Sequence, residues 1–188
     1  MIFIADRMYT YQQIIGIETD IPKIEHVLTN ENSCVAIYGI GSGSGPWIRQ
    51  YFESLRHDLN KRIAENTTVS DLFDTGIIRS ILASPYNSII KERIVNSVLG
   101  PLGINFDPEK ILNDPNLAGS IDNKITEVWN NLEILIGIQL GFKAVIYDIN
   151  RSEVLDLTSQ GFGVAGSGSL SAMWSLIHLG YSPSNNMK

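Results

Sequence analysis

The chain has 188 residues, 44% of them hydrophobic and 18% charged, with a formal net charge of −6. That length suits one domain with a sizeable core, and the composition is too apolar for a disordered chain. Its acidity and its lack of a Lys/Arg run argue against nucleic acid as a partner, and no apolar stretch reaches the ~18 residues of a membrane span.

Met1 to Ala5, "MIFIA", reads as a strand without a polar lead-in, followed by short strands at Ile14 to Ile17 and Ile24 to Leu28. "NENS" at Asn30 to Ser33 is a turn signal, and "CVAIYGI", Cys34 to Ile40, is a buried strand that is apolar on both faces. The small residues Gly39 to Gly45 lead to Pro46, a residue suited to a helix start. Beyond it Trp47, Tyr51, Phe52, Leu55, Leu59 and Ile63 recur at helical spacing, so a helix is expected over Trp47 to Ile63. That stripe reads first as core and second as a contact between subunits. Thr68 or Ser70 caps a second helix through Leu72, Ile78 and Leu82, which Pro85 breaks or kinks before the period resumes at Ile89 to Leu99.

Gly100 to Asn123 is rich in Pro, Gly, Asn and Asp, and reads as an irregular excursion with a short helix near Glu109 to Leu112. The period then changes to that of strands. "EILIGIQL" and "FKAVIYDI" flank Gly141 as a hairpin, and "NRS" turns the chain into a third run, "EVLDLTSQ". The glycine-rich stretch from Gly161 follows, then a helix over Leu170 to Leu179. Clustered strands and clustered helices indicate a layered α+β fold, because a parallel βαβ sheet requires alternation.

Cys34 is the only cysteine, so there is no internal disulfide, and a cytoplasmic, reducing location is expected. His26, His57 and His178 lack metal-ligand spacing and read as surface or satisfied histidines. Gly161, Gly163 and Gly166 match the G-x-G-x-x-G spacing of a dinucleotide turn, but no Asp or Glu follows Asp156 to hold a ribose. No Lys follows either glycine run as a phosphate-binding loop requires. No metal or organic cofactor is expected.

The two glycine-serine turns, each ending a strand and opening a helix, fit another pattern. The segment from "EILIGIQL" through "GFGVAGSGSLSAMWSLIHLGYS" resembles the second half of a proteasome-type subunit. "IFIADRMYT", "IPKIEHV" and "VAIYGIGSGSGPWIRQYFESL" resemble its first half in the same order. The resemblance is to β-type and HslV-type subunits of the N-terminal-nucleophile hydrolases. It implies a four-layer αββα sandwich of two antiparallel sheets flanked by helices, as one domain over 1–188. It also implies a threonine-type peptidase acting on polypeptide substrates in an oligomeric ring, either of like subunits or of related ones.

In that family an N-terminal threonine is the nucleophile and its own amine the base. The resemblance matches Asp6 to the acidic residue that fixes a lysine and Lys23 to that lysine. It matches Gly39 to the oxyanion glycine and Ser167 to the turn serine. The plainer readings are a strand-end turn residue for Asp6, a solvated edge charge for Lys23, and tight packing for Gly39 and Ser167. Met1 already lies inside the strand after the nucleophile's, and the family's C-terminal elements do not follow Lys188. The chain as given is therefore expected to lack its nucleophile, to be inactive, and to be incomplete at both ends. The alternatives are a non-catalytic ring or scaffold subunit resembling α-type subunits, and a small-molecule amidase on the same fold.

Overall fold

Apolar residues at alternate positions put Leu132, Ile134, Ile136 and Ile138 on one side of a strand, and that side forms the floor of the core. A computed structural model describes residues 8–11, 15–18, 24–30, 35–65, 74–102, 113–151, 153–166 and 168–179. The strands β3 (Ile24–Asn30), β4 (Val35–Gly43), β5 (Leu132–Leu140), β6 (Lys143–Asn150) and β7 (Glu153–Asp156) form one antiparallel sheet in chain order. The strands β1 (Met8–Tyr11) and β2 (Ile15–Glu18) pair with each other in a separate antiparallel ladder.

Among the described residues, three α-helices stand between β4 and β5: α1 (Gly45–Ala64), α2 (Thr75–Arg93) and α3 (Pro115–Asn130). All three pack on the sheet. In register, Ile37 faces Ile138, Gly39 faces Ile136 and Gly41 faces Ile134, so these rows share the helix-facing side. The glycines of β4 let α1 approach closely. A Cβ on Gly39 would lie 2.3 Å from Phe52 Cε1, and one on Gly41 would lie 2.4 Å from Ile48 Cγ2. Tyr51, Phe52, Leu55 and Leu59 of α1 fill the space, with Ile78, Leu82, Tyr86 and Ile89 of α2 beside them. The buried Tyr51 hydroxyl donates to Leu82 O at 3.1 Å, joining the two helices.

The fourth helix, α4 (Ser169–His178), buries none of its residues. The chain reaches it across the other face of the sheet: a Cβ on Gly163 would lie 2.5 Å from Leu135 Cδ1 and 3.3 Å from Ile146 Cγ2. Among the described residues, no helix is long and apolar enough to cross a membrane.

The four-layer αββα sandwich is overturned. The fold is α+β with one five-stranded antiparallel sheet carrying α1, α2 and α3 on one face, and the described residues form no second sheet packed on it as a sandwich requires. The physical reason lies in the strand count. A sandwich needs a second broad sheet to bury the other face, and β1 and β2 supply only a four-residue pair.

Local expectations differ in four places. β4 continues past Ile40 to Gly43, because ladder partners on β5 extend that far. Pro85 does not interrupt α2: packing of Ile81, Leu82, Tyr86 and Ile89 outweighs its missing N–H, and the winding widens into a π-type turn only at Ile94–Leu99. α3 occupies the last part of the supposed excursion, 115–123, since Asp114 caps it and Pro115 starts it. β7 stops at Asp156, whose carboxylate accepts the Thr158 N–H at 2.9 Å and turns the chain. Met1 to Ala5, Thr68, Ser70 and Glu109 to Leu112 lie outside the described residues.

Candidate functional site

Each glycine-serine run opens a helix, and the fold brings the two openings to one corner of the sheet. Ser42, just before α1, lies on the face turned away from the helices, in register with Glu133 at the start of β5. Gly166, just before α4, sits over this pair. Its N–H donates to Glu133 Oε2 at 3.0 Å, and a Cβ there would lie 3.4 Å from Ser42 Oγ. Its φ of +97° is a conformation that glycine adopts without the strain of a side chain. The Ser169 N–H then donates to Gly166 O at 3.0 Å and the Ala172 N–H to Gly168 O at 2.9 Å, so the turn passes directly into the helix.

Neither α1 nor α4 has an acidic residue in its first turn or a side-chain cap. The partial positive charge of each N-terminus is therefore not neutralised from within. At the α4 end, Glu133 supplies the negative charge from a strand far away in sequence. The start of α1 is fastened to β5 as well, by the Ser44 N–H donating to Asn131 O at 2.9 Å.

Asp148 of β6 lies opposite Leu135 on the same face as Glu133. Burial pushes its carboxyl up to about 6, the charge of Glu133 adds to the shift, and the Ile149 N–H opposes it. Its Oδ1 is buried and has no hydrogen-bond partner. The corner thus holds a hydroxyl, a carboxylate engaged with a backbone amide, and a second carboxyl able to keep a proton near pH 6. On the helix side, the Tyr86 hydroxyl donates to Leu132 O and accepts the Arg151 N–H, both at 3.0 Å, which pins α2 beneath the same end of the hairpin. Burial raises this phenol, and the Arg151 backbone hydrogen bond works against the rise.

Among the described residues, no three His, Cys, Asp or Glu side chains converge as metal ligands. His26 lies on the same sheet face with its Nε2 2.7 Å from Thr29 Oγ1 and its ring 5.3 Å from that of Tyr38.

Of the residues matched from sequence, Asp6, Lys23 and Ser167 lie outside the described residues. Two of their chain neighbours are described: Ile24, next to Lys23, pairs with Ile40, and Gly166 lies at the corner. Gly39 sits within β4, paired with Glu25 on one side and Ile136 on the other, about 10 Å along the strand from Ser42. Its backbone faces ladder partners and its missing side chain admits Phe52. Sequence reasoning missed Ser42, Glu133 and Asp148. A signal for the two carboxylates was present: each is an acidic residue set within an apolar strand run, "EILIGI" and "AVIYDI".

No protein-family model matches the chain, and no curated protein matches it. It is similar in fold to Anbu (ancestral beta-subunit) from Yersinia bercovieri, with 11% identity and a TM-score of 0.54 over 96% of this chain. The chain spans 61% of that protein's length. A second Anbu structure, from Hyphomicrobium sp. strain MC1, matches at 11% identity and a TM-score of 0.42, covering 83% of this chain and 51% of that one. At this identity the likeness concerns the fold alone. The assignment to β-type or HslV-type subunits is corrected accordingly, since no family model supports it and the likeness is to Anbu.

Proposed function

We propose that the chain, a single domain over 1–188, is a subunit of an oligomeric ring in the cytoplasm that hydrolyses amide bonds of polypeptides when its mature N-terminus carries a nucleophile, and that is inactive without one. The observation that supports this reading is the seating of the Gly166 turn over the Ser42–Glu133 pair, which joins both glycine-serine turns at one corner. At the α1 end the helix N-terminus has no acidic residue in its first turn, so it favours the negative charge that develops in acyl transfer.

In this reading the hydroxyl or thiol of an N-terminal Thr, Ser or Cys attacks the scissile carbonyl, and its own amine takes the proton. The C–N bond breaks, the amine leaves with that proton, and water releases the acyl group. Lys23 favours the ionised nucleophile, Asp6 fixes the lysine, and Ser167 completes the hydrogen bonds around the amine. Gly39 keeps in this reading the oxyanion role that the resemblance gives it.

The test is to isolate the protein from its native source, determine its N-terminal residue, and follow release of a fluorophore from peptidyl-aminocoumarin substrates. The expected result is an N-terminal Thr, Ser or Cys and a turnover that Lys23→Ala lowers by at least about 100-fold with the assembly intact. Absence of turnover, or turnover indifferent to Lys23→Ala, overturns the catalytic reading. A second reading, a non-catalytic ring subunit, is favoured by the exposed apolar residues of α4, Leu170, Trp174 and Ile177. It stands if turnover is absent while the protein sediments as an oligomer.

A further inference from the structure

Most helix starts are secured by the residue at their own N-cap, whose side chain accepts an amide of the first turn. α4 differs: Gly168 occupies that position and offers no side chain. The amide two residues before it, that of Gly166, is instead taken by Glu133, which is 33 positions away in the chain. Three features converge on this contact. Glu133 stands in register with Ser42, so its place on the face is set by the β4–β5 ladder. Gly166 has a φ of +97°, which glycine adopts without strain, and lies beside Ser42. An N–H donated to a carboxylate is stronger than one donated to a neutral oxygen, and a negative charge is favoured beside a helix N-terminus.

We propose that Glu133 is a positioning residue: from β5 its carboxylate holds the Gly166–Gly168 turn against the end of β4 and so sets how the two glycine-serine turns meet. This deepens the hydrolase reading, on which the turn stands beside the reacting bond. Glu133 touches no substrate in this role and acts through the turn. A neutral acceptor of the same shape should keep the contact in weakened form, and an apolar side chain of the same size should lose it.

The experiment compares the full-length protein with Glu133→Gln and Glu133→Leu, reading amide exchange at Gly166 by NMR and, in parallel, kcat and KM on peptidyl-aminocoumarins. Glu133→Leu is expected to speed Gly166 exchange by about 10- to 100-fold while core amides of β5 exchange as before. It is also expected to lower kcat by at least about tenfold with KM little changed, and Glu133→Gln should lose less than Glu133→Leu in both readouts. Gly166 exchange that is unchanged in Glu133→Leu overturns the proposal, as does a kcat that falls equally in both variants. If the wild-type protein turns over no peptide, the hydrolase reading fails, and the exchange comparison alone still upholds or overturns the role of Glu133. Should Glu133→Leu not fold, Glu133→Gln with weakened Gly166 protection upholds the contact, and unweakened protection with Glu133→Ala overturns it.

Discussion

A half-buried acid with one oxygen unpaired imposes a cost that depends on pH, and Asp148 is such an acid. Its carboxyl titrates at about 6 in the folded chain against an ordinary 3.8, chiefly because burial disfavours its charge. Between these two values the folded state binds more protons than the unfolded state. This group's contribution therefore favours folding at low pH and is lost as pH rises from about 3.8 through 6. Asp148→Asn removes the charge while keeping the shape. Because the side chain is only half-buried, the gain at pH 8 should be roughly 1 kcal/mol, less than the full shift implies. That is a rise of about 2–4 °C in Tm for a chain of this size. Thermal unfolding of both proteins from pH 4 to pH 8 checks it. Curves that stay parallel across that range would show that Asp148 contributes no such cost.

Among the elements, α3 shows how a helix can be hidden by its own start signals. Pro115, Asn116, Gly119 and Asp122 look like the vocabulary of a loop, yet Leu117, Ile121, Ile125 and Val128 keep helical spacing and turn inward. What decides the outcome is Asp114, whose Oδ1 accepts the N–H groups of Asn116 at 3.0 Å and Leu117 at 3.1 Å. Asp114→Ala is expected to destabilise the protein by about 1 kcal/mol, and Asp114→Ser by much less, as read from urea unfolding. Equal losses in the two variants would mean that the cap is not what secures this end. α2 carries the opposite lesson. Pro85 is a local breaker that loses to tertiary packing, since the helix has both a buried stripe and the Tyr86 anchor to hold it.

At the scale of the molecule, the sheet is covered unevenly. The helix side is closed by α1, α2 and α3, whereas on the other side the 161–166 segment runs over Leu135 and Ile146 and leads to α4. α4 leaves Leu170 68%, Trp174 65% and Ile177 54% exposed. Its only titratable side chain is His178, so a protein carrying a net charge of −6 presents here a surface almost free of charge. Such a surface suits association between subunits. Trp174→Glu is expected to reduce the mass in solution toward that of one chain, while changing the unfolding free energy by less than about 0.5 kcal/mol. Light scattering behind size exclusion reads the first quantity and urea unfolding the second. An unchanged mass removes α4 from any ring contact.

The sequence alone was enough to locate β4, β5, β6, the long α1 and α4, because each is announced by periodicity or by a neighbouring Gly or Pro, and these are local properties. The α+β grouping followed from their order. The layer count did not, because the number of sheets depends on which strands find partners, and short runs such as "MYTY" and "IGIE" carry no record of their partners. The meaning of the glycines was likewise undecided by spacing. Gly39 and Gly41 admit α1, Gly163 admits Leu135, and Gly166 carries a positive φ beneath a distant carboxylate. Glu133, Ser42 and Asp148 are scattered through the chain, and only the register of β4, β5 and β6 sets them on one face. That register is decided by the buried rows of Ile and Gly on the opposite side, since a slip by one residue would turn those rows to the outside.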